Sequence, residues 1–155
     1  MAYRFEADEG VREAIVRCAR EQLDQAVSEL SEGTGKDPDA AVHQARKAIK
    51  KERSLLRLAH GAMSPKQRRR EHRALRGAAR GLSDARDAQV MTQTVLRLSD
   101  RLAGQLPEST FQAIGEQLEL RRDGQRGQLR GSALGARAVQ ELVSARLRVD
   151  DWTLN

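Results

Sequence analysis

The chain has almost no aromatic residues and almost no cysteine: Tyr3, Phe5, Phe111 and Trp152 are its only aromatics, and Cys18 is its only thiol. A lone cysteine excludes an internal disulfide, and its neighbours Ala14, Ile15 and Ala19 place it as a small buried thiol on a helix. The three histidines, His43, His60 and His72, form no close pair. With no second cysteine there is no zinc-like ligand spacing, so neither a metal nor a cofactor is expected. No apolar run approaches the ~18 residues of a membrane span, and MAYRFEADEG lacks a signal-peptide apolar region, so the expectation is a cytoplasmic protein with no membrane partner. A glycine-rich phosphate loop is also missing.

What is present is helix-forming. Ala, Leu, Arg, Glu and Gln dominate, prolines number three, and β-branched runs are few, which favours an all-α fold. At 155 residues the whole of 1–155 reads as a single domain. A first helix is expected near 8–31, carrying Val11, Ile15, Cys18, Ala19, Gln22, Ala26 and Leu30 at helical spacing and ending at Gly33-Thr34-Gly35. Asp37 followed by Pro38 is a cap-and-proline start for a second helix that runs to His60 and stops at Gly61. Ser64-Pro65 repeats that start for a third, which weakens at Gly81-Leu82-Ser83.

Asp84 with Asp87 resembles a capping box for a fourth helix, packing through Ala88, Met91, Val95, Leu98 and Leu102 and ending near Gly104. A fifth starts after Pro107 with Phe111, Ile114 and Leu118 on one face. A last one carries Leu134, Ala138, Leu142, Ala145 and Val149. Gly124, Gly127, Gly131 and Gly135 weaken the stretch between them, with a break expected near Gly131. Short connections between amphipathic helices imply an antiparallel bundle of five to six helices.

Charge is concentrated. The net charge is +6, yet residues 43–80 hold thirteen Lys/Arg against two acids, so the rest of the chain is mildly acidic. On the second helix His43, Arg46, Lys50, Arg53, Arg57 and His60 step by three and four, forming a continuous stripe roughly 140° from the apolar one. On the third, Lys66, Arg69, Arg73, Arg76 and Arg80 repeat the pattern. If the two helices are antiparallel neighbours, the stripes lie side by side over roughly 20–25 Å and make a cationic groove. A solvated helix face normally mixes signs, because like charges at i,i+4 cost ~0.2–0.5 kcal/mol each. Arg46–Lys50, Arg53–Arg57, Arg69–Arg73 and Arg76–Arg80 are all like-charged and neither stripe contains an acid, which points to an anion-binding surface.

The missing aromatics narrow the anion. Single-strand nucleic-acid binders interleave cations with stacking platforms, and none of the four aromatics falls within 43–80. Duplex readers present a recognition helix, and no helix-turn-helix or basic zipper is apparent. Nucleic acid is therefore the alternative, and a linear polyanion without bases the first choice. Phosphoryl transfer needs a base or metal ligands among the cations, but Glu52 and Glu71, the only acids of the segment, fall on the core side, so no enzyme is expected.

The run VHQARKAIKKERSLLRL, residues 42–58, resembles the first signature of the CHAD family (conserved histidine α-helical domain), in which His is followed by basic residues at +3, +7, +8 and +10. His43, Arg46, Lys50, Lys51 and Arg53 occupy those positions. The run LRGAARGLSDARDAQV, residues 75–90, is similar to the second signature, with Arg76, Arg80, Arg86 and Asp87 on its pattern. The resemblance implies an all-helical domain that binds inorganic polyphosphate on a basic surface; taken with the basic segment read above, the expected binding residues are His43, Arg46, Lys47, Lys50, Lys51, Arg53, Arg57, Arg69, Arg73, Arg76, Arg80 and Arg86. His43 either touches the ligand or hydrogen-bonds a neighbouring helix, and Arg86 with Asp87 is expected as a structural pair whose arginine reaches the groove edge. Glu52 stands where the family pattern is usually apolar, and Gly77 and Gly81 stand where it is polar, so the third helix is expected to be less rigid. The family usually has two related halves, each with a histidine motif. One motif-bearing half is present here, which raises the expectation of a homodimer.

Overall fold

In a computed structural model that describes residues 4–131 and 133–154, the second and third helices begin where the sequence supplies a cap and a proline; side chains 84, 85, 125, 126, 128–131, 133 and 134 lie outside the description. The helices are α1 (Val11–Ser31), α2 (Pro38–Leu58), α3 (Pro65–Gly81), α4 (Ser83–Arg101), α5 (Glu108–Gly131) and α6 (Ala133–Arg148), with 3₁₀ turns at Gly33–Gly35, Ala59–Gly61 and Val149–Asp151. No strand forms among the described residues, and the fold is an all-α bundle.

Asp37 caps α2 by accepting the Asp39 and Ala40 N–H groups at 3.1 Å each, with Pro38 at the first helical position. Ser64 caps α3 by accepting the Gln67 N–H at 3.3 Å. These side chains satisfy amides that a helix start otherwise leaves unpaired. The first helix starts at Val11 rather than residue 8, because the Gly10 N–H is held by the Glu13 carboxylate at 3.1 Å. The start expected at Asp84 is shifted by one residue: α4 begins at Ser83 with Leu82 at the cap position, and the Asp84 side chain lies outside the described residues. Leu82 is fully buried, and the Ser83 hydroxyl donates to the Ala79 carbonyl at 3.1 Å, so the chain turns on an apolar anchor.

One core joins α1, α2, α3 and α6. Ile15, Cys18, Ala19 and Leu23 meet Ala45, Ile49, Leu55 and Leu56, and the other side is closed by Leu75, Ala78, Leu82, Ala138, Leu142, Ala145 and Val149. The many alanines at this seam let helix backbones approach closely. Cys18 is buried, with its thiol directed at the Arg4 carbonyl, and burial raises its pKa. At Gly77 a Cβ would stand 2.2 Å from the Glu141 Oε2 of α6, the far end of a flexible side chain, so α3 passes close to α6 there. Trp152 and Leu154 fold back into the core, and Leu154 pairs with Met63 in an isolated bridge.

The α4–α5 hairpin is different. Its helices pack chiefly on each other, and among its described side chains only Ala88, Thr92 and Leu118 are buried. Met91, Leu98 and Ile114, expected in the core, are 48%, 42% and 45% exposed, because no third layer among the described residues covers that face. Phe111 is half-buried. The interruption expected near Gly131 falls at position 132, which lies outside the described residues, as does the Leu134 side chain.

Candidate anion-binding site

Arg46 fixes how α2 meets its neighbours. Its Nη1 donates to the Ala79 carbonyl of α3 and to the Ser83 hydroxyl of α4, both at 3.1 Å. Burial first, and then the charges of Arg68, Arg53 and Arg57, lower the pKa of His72 on α3. Residue 46 in α2 thus meets residue 79 near the end of α3, and a short 3₁₀ connection joins the other ends of the two helices, so they run antiparallel.

Between them lies a cleft of about 550 Å³, lined by His43, Arg46, Lys47, Lys50, Arg53 and Arg57 of α2, by Ala79 of α3 and by Arg86 of α4. The α2 stripe is therefore one wall of a real concavity. The α3 stripe is not the other. Arg69, Arg73, Arg76 and Arg80 are exposed and line no part of this cleft. Ala79 and His72 occupy the α2-facing flank of α3, and the stripe, one step further round the helix, turns toward solvent. Arg76 stands one turn from His72 on α3, so its effect on that histidine acts within the helix. Lys51 is half-buried and outside the cleft lining.

Arg86 reaches the cleft edge, and its partner is Gln89, whose Oε1 accepts from Nη1, rather than Asp87, which is exposed. His43 is exposed and makes no hydrogen bond to a neighbouring helix among the described residues. Together His43 and Arg86 form the boundary with a second cavity of about 1040 Å³ at the start of α2, which also takes in Lys36, Gln93 and Arg122. There Arg122 of α5 holds Asp39 through Nη2 at 2.6 Å and Nε at 3.1 Å, and that bonding raises the guanidinium pKa.

The electrostatics are one-sided. Among the described residues no carboxylate pairs with Arg46, Lys47, Lys50, Arg53, Arg57 or Arg86. Elsewhere Arg17, Arg20, Arg122, Arg146 and Arg148 are each matched to an acid. The two acids of the basic segment are in the core, as their helical positions implied. Glu71 receives two bonds from Arg148 at 2.7 Å, and Glu52 is 1% exposed. Burial, reinforced by the Glu71 charge, pushes the Glu52 pKa up to about 8. Neither reaches the cleft to act as a base. No group of His, Cys, Asp and Glu able to hold a metal ion occurs among the described residues.

A family model for the CHAD domain matches residues 17–153. The chain belongs to the CHAD domain family. No curated protein and no solved structure matches it. Within this CHAD domain the histidine motif supplies the α2 wall, and the second motif supplies both the α3 flank and Arg86. No helix among the described residues is long and apolar enough to cross a membrane.

Two features of the CHAD domain site were not legible in the chain. His72 lies one position before the α3 stripe and reads as an ordinary helical residue, yet burial first, then Arg68, Arg53, Arg57 and Arg76, lower its pKa. Arg122 sits 83 residues from its partner Asp39, beyond the reach of any local pattern.

Proposed function

We propose that this CHAD domain binds inorganic polyphosphate in the α2-walled cleft and catalyses no reaction on it. The observation that carries the reading is the row of Arg46, Lys47, Lys50, Arg53 and Arg57 on one concave wall, with no carboxylate partner among the described residues. Such a row is self-repelling in the free protein, and a chain of closely spaced negative charges removes that repulsion along its whole length. Arg46 has donors left after bonding Ala79 and Ser83, so it serves as wall and strut together. Arg69, Arg73, Arg76 and Arg80 form an outer basic face that widens the field guiding a polyanion to the cleft.

A single wall leaves one side of the ligand in water, where an exposed ion pair contributes only ~0–1 kcal/mol. A second copy of the chain would supply the opposite wall, so long polyphosphate promotes a homodimer. Light scattering with and without the ligand reads that directly, and an unchanged monomer mass together with tight binding refutes it. Polyphosphate binding itself is tested by titration with long-chain polyphosphate against DNA and RNA competitors. Polyphosphate should win at equal phosphate concentration, and equal competition by nucleic acid would replace this reading with a general nucleic-acid binder.

A further inference from the structure

The two cavities that meet at His43 and Arg86 have opposite characters. In the cleft the fixed charges are all cations: Arg46, Lys47, Lys50, Arg53, Arg57 and Arg86. In the larger cavity, Lys36, Arg86 and Arg122 are balanced by Asp37, Asp39 and Asp123, and the amides of Gln89 and Gln93 add neutral donors and acceptors. A uniformly charged chain gains attraction along the cleft and nothing further beyond the boundary, where carboxylates already answer the cations. A ligand that is anionic at one end and uncharged but rich in hydrogen-bonding groups at the other gains in both.

We infer that the site accepts a phosphate chain carrying a nucleoside, with the phosphates on the α2 wall and the nucleoside in the polar cavity over Gln93 and the Arg122–Asp39 pair. This rests on the polyphosphate reading of the cleft. At about 1040 Å³ the cavity is of the size that receives small organic ligands, ~300–1,000 Å³. Its wall is held in place, since Arg122 of α5 is tied to Asp39 at 2.6 Å and Asp37 is committed to capping α2. Ribose hydroxyls and base edges find carboxylate and amide acceptors as well as guanidinium and amide donors there. No aromatic side chain lines the cavity, so base identity is read weakly and any preference among nucleosides is small.

The test compares inorganic tripolyphosphate with ATP, equal in phosphate number, by calorimetric titration without divalent cations, on the whole chain. Two variants leave every cleft cation in place: Gln93→Ala removes an amide, and Ala40→Leu puts an aliphatic side chain into the cavity from an exposed position at the start of α2, adding no ring on which a base could stack. The expected result is ATP binding roughly tenfold tighter than tripolyphosphate, the equivalent of one or two added hydrogen bonds. Ala40→Leu and Gln93→Ala should each reduce that gain, and tripolyphosphate binding should be unchanged in both. ATP binding no tighter than tripolyphosphate, or a gain that is undiminished in both variants, overturns the inference while the polyphosphate reading stands. Failure of tripolyphosphate and long-chain polyphosphate alike overturns both.

Discussion

Glu52 gives the stability of the domain a pH dependence that one substitution removes. Its side chain is 1% exposed in the core, its Oε2 has no hydrogen-bond partner, and its pKa is pushed up to about 8, chiefly by burial and then by Glu71. In the unfolded chain the same group titrates near 4.5. Because the folded value is the higher one, Glu52 is neutral in both states below pH 4.5 and its titration costs nothing there. Between 4.5 and about 8 only the unfolded chain ionises, so stability falls as pH rises. At ~1.4 kcal/mol per pH unit the loss from pH 5 to pH 8 is on the order of 4 kcal/mol, a large part of the 5–15 kcal/mol typical of a domain. Glu52→Gln keeps the shape and removes the titration. Urea unfolding of both proteins from pH 4.5 to 8.5 gives a difference curve in which other titrating groups cancel. That curve should start near zero and rise in favour of the variant by several kcal/mol. A flat difference would show that the buried carboxyl finds compensation absent from this account.

Arg148→Met leaves the Glu71 carboxylate buried without its guanidinium and should cost ~3–5 kcal/mol in urea unfolding, with most of it recovered in the Arg148→Met/Glu71→Leu double variant. Gly77→Ala adds up to ~1 kcal/mol of helix propensity, and the added methyl displaces only the flexible end of Glu141, so a small rise in thermal stability is expected; a clear fall would mean that the α3–α6 seam cannot yield. Burial first, then Arg68, Arg53, Arg57 and Arg76, lower the His72 pKa; a polyanion over Arg53 and Arg57 relieves the part owed to those two charges, so binding takes up protons and affinity increases as pH drops below the ordinary histidine value of 6.5. His72→Gln should flatten that dependence in titrations from pH 5.5 to 8, and an unchanged slope would place the linkage elsewhere.

Helix starts were legible where a short polar side chain stands before proline, as at Asp37-Pro38 and Ser64-Pro65, because cap chemistry is local. The start of α4 was misread by one residue: Leu82 anchors the turn by burial, and burial is a property of the assembled core, not of neighbouring residues. The core faces of α1, α2 and α3 followed from periodicity except at Val11, which is 66% exposed in the first turn of α1, whereas Met91, Leu98 and Ile114 obey the same periodicity on a face that no other described element covers. The α2 stripe could be read directly as one wall. The rotation of α3 could not, since it depends on how Arg46 reaches Ala79 and Ser83 and on how closely α3 passes α6 at Gly77. The same long-range packing hid the Arg122–Asp39 wall of the second cavity.

Placement of charge, as opposed to its sum, is the central claim, and the salt dependence of polyphosphate affinity tests it most directly. Two triple variants remove the same charge: Lys50, Arg53 and Arg57 to Ala from the cleft wall, and Arg12, Arg97 and Arg101 to Ala from exposed positions outside both stripes. Arg17 is unsuitable for the control because Glu9, Glu21 and the Arg4 carbonyl all hold it. Long-chain polyphosphate is titrated into each protein across a series of salt concentrations, and log affinity is plotted against log salt. The cleft variant should lose most of its affinity and its slope should shrink by roughly one per cation removed, while the control keeps the slope of the unaltered protein. Equal losses of affinity and slope in the two variants would contradict the account, because net charge alone would then govern binding.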